Sequence, residues 1–125
     1  MNNPYELKRV SIRLVEEDSV LCTHPITHAE DAVLLIGNDL KRMDREVLCI
    51  INLKSNGNPI NYSFVSIGAL NSTLAHPREL LKASILSNAA SMILIHCHPS
   101  GSLIASRDDI TITDRMIKIC ELIGI

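Results

Sequence analysis

Over residues 7–16 apolar and polar side chains alternate roughly, with Leu7, Val10, Ile12 and Leu14 as the apolar set, and that spacing predicts a half-buried strand. Residues 1–5 read as a loose start, and residues 17–27, mixed and carrying Pro25, as a loop. The period then changes. Ala29, Ala32, Val33, Ile36 and Leu40 recur at helical intervals behind Thr27 and Glu30, which have capping-box spacing, and Lys41 and Arg42 fall where cations suit a helix C-terminus. Val47-Leu48-Cys49-Ile50-Ile51, continued by Asn52 and Leu53, has the length and β-branched content of a buried strand. Ser55-Asn56-Gly57-Asn58 is a hairpin signal, and residues 59–67 alternate as the return strand. A loop follows over 68–75. Pro77 opens a second helix through Leu80, Leu81, Ser84, Ile85, Asn88 and Ala89. Residues 91–96 are a short apolar strand stopped by Pro99 and Gly101, and Ser106 opens a last helix with Ile110, Thr113, Ile117 and Cys120 on one face. The order β-α-β-β-α-β-α predicts an α/β fold, a mixed β-sheet flanked by helices.

Bulk properties narrow the function. With 125 residues, 46% of them apolar, the chain is sized for one domain with one core, and residues 1–125 are read as that domain. Aromatics are only 2% and net charge is -2, which argues against strong nucleic-acid binding. The four cysteines form no Cys-x-x-Cys pair and read as thiols in a reducing compartment. No stretch looks like a secretory leader, and no apolar run nears the roughly 20 residues that span a bilayer. The expectation is a soluble, cytoplasmic protein with no membrane partner.

Chemistry concentrates in His96-Cys97-His98-Pro99-Ser100-Gly101 and Ser106-Arg107-Asp108-Asp109. Side chains two apart on a strand share a face, so His96 and His98 point together and Cys97 points away. Asp109, in the first turn of the next helix, sits where the helix dipole favours an ionised carboxylate. Two imidazoles and a carboxylate hold one Zn2+ and leave a position for water, the pattern of a catalytic site. A zinc ion brings that water's pKa to around 7. Glu46, just ahead of the buried strand, is the candidate proton acceptor, and the Ser106 hydroxyl the candidate donor to an oxyanion. Simpler readings stand beside these. A His-x-His pair alone is a weak metal signal. Ser106 and Asp109 also have the spacing of an ordinary helix cap, as Thr27 and Glu30 do with no His-x-His nearby. Glu46 also fits a solvated acid in Asp44-Arg45-Glu46. The metal reading gains from co-occurrence, since a pair of imidazoles, a stop and a carboxylate at a helix start fall within the 14 residues from His96 to Asp109.

The pattern His96-x-His98-Pro99, six residues, Ser106, two residues, Asp109 resembles the signature of the JAMM metalloproteases, the JAB/MPN superfamily. From about residue 28 onward the chain looks like the bacterial RadC branch. The marks are Ser66-Ile67-Gly68-Ala69-Leu70-Asn71, His76-Pro77-Arg78-Glu79, Asn88-Ala89-Ala90, His98-Pro99-Ser100-Gly101 and Ser106-Arg107-Asp108-Asp109-Ile110. The resemblance implies a JAB/MPN-like, cytidine-deaminase-like fold and one zinc ion on His96, His98 and Asp109. It implies Glu46 as general base, preferred to its rival Glu79, Ser106 as support for the tetrahedral intermediate, and a peptide or isopeptide bond as substrate. The chain departs from the RadC pattern in several places. Cys97 stands where Asn is usual, Ser102-Leu103-Ile104-Ala105 where Asp and Pro are common, and with 125 residues the helix-hairpin-helix module often found in the family is expected to be missing. Relatives continue past Ile125 with an Asp-His segment and a closing strand, so truncation, an unpaired sheet edge and a homodimer through it are expected. Two other functions remain open: a metal-binding but catalytically silent interaction domain, and a factor associated with DNA repair or mobile elements. A nucleoside deaminase would need His-x-Glu and Pro-Cys-x-x-Cys, and the chain has neither.

Overall fold

A computed structural model describes residues 4–42, 44–67, 76–102 and 104–125. The loop expected at 68–75, and with it most of the Ser66–Asn71 resemblance, lies outside the described residues. The elements are α1 (Ala29–Lys41), β1 (Val47–Leu53), β2 (Pro59–Ile67), α2 (Pro77–Leu86), β3 (Ser91–Cys97) and α3 (Arg107–Ile123). Helices on a sheet, the expected α/β class, is what these residues form.

The strands lie in the order β2-β1-β3, with β1 antiparallel to both neighbours. The expected mixed sheet is therefore antiparallel at both described ladders. The reason is topological: α2 joins β2 to β3, which run the same way but are separated by β1, so no parallel pair forms. The β1–β2 turn is closed by Lys54 and Asn58 at 2.8 Å and by Gly57 N–H donating to Lys54 at 3.0 Å. Gly57 has φ +84, and a Cβ there would sit 3.0 Å from the Ile26 carbonyl oxygen, so the turn needs glycine twice over.

All seven β1 residues are buried, because the sheet is covered on both sides. Val47, Cys49, Ile51 and Leu53 face Ile26 and the α1 residues Ala32, Ile36 and Leu40. Leu48 and Ile50 face Leu80 and Leu81 of α2 and Ile112 and Met116 of α3. At the far end of that second face Asn52 is fully buried yet satisfied, accepting from Ser84 Oγ at 2.5 Å and donating to Asn61 Oδ1 at 2.8 Å.

Three expectations are corrected. Residues 7–16 are not a strand, and Leu7, Val10, Ile12 and Val15 are exposed, so the observed order begins at α1. Alternation states which face a strand would bury; it supplies no partner, and cross-strand pairs are what stabilise a strand. The cap of α1 is shifted by one residue: the N-cap is His28, and Asp31, not Glu30, reaches back to accept from Thr27 N–H at 3.0 Å and His28 N–H at 3.1 Å. The inward face of α3 is Ile112, Met116, Ile119 and Cys120, while Ile110 and Ile117 are exposed.

The Asp31 cap is testable. The Thr27 amide, then that of His28, holds the carboxyl below its ordinary value of 3.8. A depressed carboxylate supports the folded cap at higher pH and loses that support as pH falls through its folded pKa. An NMR titration should place Asp31 below 3.8, with the Thr27 and His28 amide shifts moving in step. A midpoint at or above that value, with silent amides, would contradict the cap.

Candidate metal centre

The β1–β3 ladder sets Leu48 opposite His96 and Val47 opposite Cys97. Alternation then divides the two ends of these strands between the faces of the sheet. His96 lies on the side of Leu48, toward α2 and α3. Cys97 packs into the α1-side core with its thiol donating to the Leu40 carbonyl at 3.6 Å, so it points away from the site as the sequence pattern predicts. Extended by one residue, the same register sets Glu46 opposite His98, on the same face as Leu48.

Helix α3 supplies the fourth group. Ile112 and Met116 anchor it against Leu48 and Ile50. Asp109 begins that same i, i+3, i+7 stripe, so the packing that buries Ile112 also turns Asp109 toward the sheet end. Ser106 is the N-cap: its Oγ accepts from Asp109 N–H at 3.1 Å, and its own N–H donates to Asp109 Oδ2 at 2.7 Å. The helix cap expected from the spacing is present, and it leaves the other carboxylate oxygen pointing elsewhere.

That oxygen meets the imidazoles. Asp109 Oδ1 lies 2.5 Å from His96 Nδ1, Asp109 Oδ2 lies 3.2 Å from His98 Nε2, and the two ring nitrogens are 3.2 Å apart. Glu46 Oε2 is 4.0 Å from His96 Nε2. Asp109 is the most enclosed of the four, 12% exposed against 36% for Glu46. Burial alone would raise its pKa, but the Ser106 amide and hydroxyl and the two imidazoles outweigh that and hold the carboxyl below the usual range.

Do these residues fit an ion? Donor atoms bound tetrahedrally at 2.0–2.1 Å lie ~3.3 Å from one another. The 3.2 Å separations of His98 Nε2 from Asp109 Oδ2 and from His96 Nδ1 match that spacing, while the His96–Asp109 contact is shorter, as in a direct ion pair. Two buried atoms make no hydrogen bond: Asp109 Oδ1, which lies beside His96 Nδ1, and His96 Nε2, which lies on the other side of its ring, toward Glu46. Buried polar atoms are nearly always paired, so a carboxylate oxygen with no hydrogen bond, set beside two imidazoles, suits a cation. Glu46, His96 and His98 can also each offer an atom within 4.8 Å of the others, a second possible ligand group that does not include Asp109.

The structure thus brings together all five residues singled out from sequence: Glu46, His96, His98, Ser106 and Asp109. The rival acid Glu79 lies instead in the exposed first turn of α2, where Lys82 at 2.8 Å holds its carboxyl below the usual range. Sequence reasoning missed one contact: His98 Nδ1 lies 3.1 Å from the backbone carbonyl of Ser102. No side-chain pattern announces a main-chain partner.

The family model for the RadC-like JAB domain matches residues 26–125. A UPF0758 protein of Desulforamulus reducens is 46% identical over 96 residues, 77% of this chain and 42% of the relative. A UPF0758 protein of Clostridium perfringens is 38% identical over 107 residues, 86% of this chain and 47% of the relative. A third, from Clostridium acetobutylicum, is 41% identical over 100 residues, 80% and 44% of the two chains. The chain therefore spans less than half the length of the curated relatives it matches. Among the described residues no helix is long and apolar enough to cross a membrane.

Proposed function

This chain belongs to the RadC-like JAB domain family, and from that premise we propose that it is a metal-dependent hydrolase cutting an amide bond in a peptide or protein. The observation that carries the proposal is the convergence of His96, His98 and Asp109, with Asp109 Oδ1 buried beside the imidazoles and making no hydrogen bond. Distance and burial favour Asp109 over Glu46 as the third ligand. A bound Zn2+ would supply Lewis acidity and a water acidified to a pKa of about 7.

The protein's own groups would do the rest. Glu46, beside the ligands and more exposed than Asp109, takes the proton from the attacking water and returns it to the leaving amine. Ser106 Oγ accepts one bond from the Asp109 amide, and its own proton remains available to donate to the developing oxyanion. The Ser106–Asp109 cap couples the two roles: one short helix start orients both the oxyanion donor and the carboxylate ligand.

Metal removal tests this reading. Protein loaded with one equivalent of zinc should cleave members of a peptide library, read by mass spectrometry. Dialysis against a strong chelator should abolish cleavage, and added zinc should restore it. Cleavage that persists at full rate in chelator-stripped protein would refute the proposal.

A further inference from the structure

His98 is gripped at both ring nitrogens. Nδ1 faces the Ser102 carbonyl oxygen at 3.1 Å, and Nε2 faces Asp109 Oδ2 and His96 Nδ1, each at 3.2 Å. A carbonyl oxygen only accepts, so the Ser102 contact is a hydrogen bond only when Nδ1 carries the proton. A neutral imidazole protonated at Nδ1 has its lone pair on Nε2, the atom aimed at the other ligands.

The chain builds this contact with a tight turn directly after the ligand. Gly101 N–H donates to the His98 carbonyl at 3.0 Å, and Gly101 takes φ +77. That left-handed residue reverses the backbone and brings the next carbonyl, that of Ser102, back over the His98 ring. Among the described residues nothing lies within 4 Å of where a Cβ on Gly101 would sit. The position therefore asks for glycine because of its backbone angle and not for want of space.

We infer that the 98–101 turn is a positioning element, in which Gly101 delivers the Ser102 carbonyl to His98 Nδ1 and so fixes the tautomer that presents Nε2 to the ion. The inference rests on the metal site proposed above. Gly101 touches no ligand atom and acts wholly through His98. Ligating histidines held by such a partner are oriented and made better donors, and losing the partner typically weakens metal affinity by about 10–100-fold.

The test uses the full chain and Zn2+ itself. In zinc-loaded protein labelled with 15N-histidine, His98 should show a protonated Nδ1 and a metal-bound Nε2. Gly101→Ala should weaken zinc affinity, measured by chelator competition, by roughly 10–100-fold, because alanine resists a positive φ. Gly101→Asn should recover most of that loss, since asparagine visits the left-handed region far more readily. A purely steric role would predict the opposite order, as asparagine is the larger residue. Zinc bound through His98 Nδ1, or a Gly101→Ala protein that binds zinc as tightly as the parent, overturns this inference and leaves the hydrolase reading standing. Zinc that ignores His96 and His98 altogether overturns both. Should Gly101→Ala fail to fold, the nitrogen assignment in the parent protein decides alone.

Discussion

Asp109→Asn is expected to strip the ion from this protein while leaving helix α3 in place. The proposed function gives this residue two roles, cap and ligand, that a conservative change separates. Its Oδ2 accepts the Ser106 amide at 2.7 Å and closes the helix cap. Its Oδ1 sits among the imidazole nitrogens with no hydrogen bond of its own. Asparagine keeps the size and one acceptor oxygen, so the cap survives, but it removes the charge and the second oxygen. Loss of a ligand should exceed the roughly 10–100-fold cost of losing an outer partner of a ligand. The cap itself is worth only ~0.5–2 kcal/mol, and most of that should remain. Zinc stoichiometry by elemental analysis and unfolding by denaturant give the two readouts. Near-zero zinc with an almost unchanged unfolding midpoint is the expected pair. Full zinc occupancy at parental affinity would mean that Asp109 is a cap and nothing more, and would move the third ligand to Glu46, which lies within reach of the same two histidines.

The placement of Asp109, in the cap and beside both imidazoles, also shows what could be read from residue order and what could not. The spacing from Ser106 to Asp109 announces a cap, and the His-x-His pair announces a shared strand face. Both are local facts, and both hold in the structure. That the two meet depends on how α3 is rolled on the sheet, which is settled by Ile112 and Met116 packing on Leu48 and Ile50. A pattern centred on Ile110 and Ile117 points the helix differently, because apolar residues lie on more than one side of it and composition does not say which side is covered. The strand expected at 7–16 fails for a related reason: its alternation is real, but the ladder that would reward it is not present among the described residues. Strand β1 was legible because every one of its residues is buried, so no choice of face was needed. The Asn52–Ser84 bond, which ties α2 to the central strand, looked like the polar end of an apolar run. It is a pairing across 32 positions, and only the folded chain brings those two side chains together.

Glu46→Gln should do the reverse of the Asp109 change, keeping the ion and losing the reaction. Glu46 stands immediately ahead of β1, on the sheet face shared by Leu48 and His96, with Oε2 4.0 Å from His96 Nε2. It is three times as exposed as Asp109, 36% against 12%, as suits a group that must exchange protons with an incoming water and a departing amine. Glutamine has nearly the same shape and still hydrogen-bonds, but its amide cannot take up a proton at neutral pH. Positioned acid–base groups contribute about 10²–10⁴-fold to rate, so kcat on whatever peptide the parent protein cleaves should fall by that order. Zinc content should stay near one equivalent, which distinguishes a proton carrier from a ligand. If zinc leaves along with the activity, Glu46 belongs to the coordination set, and the proton must travel by another group. If activity survives within a few-fold, the carboxylate ahead of β1 is no base, and the acid on the first turn of α2, Glu79, becomes the next residue to change.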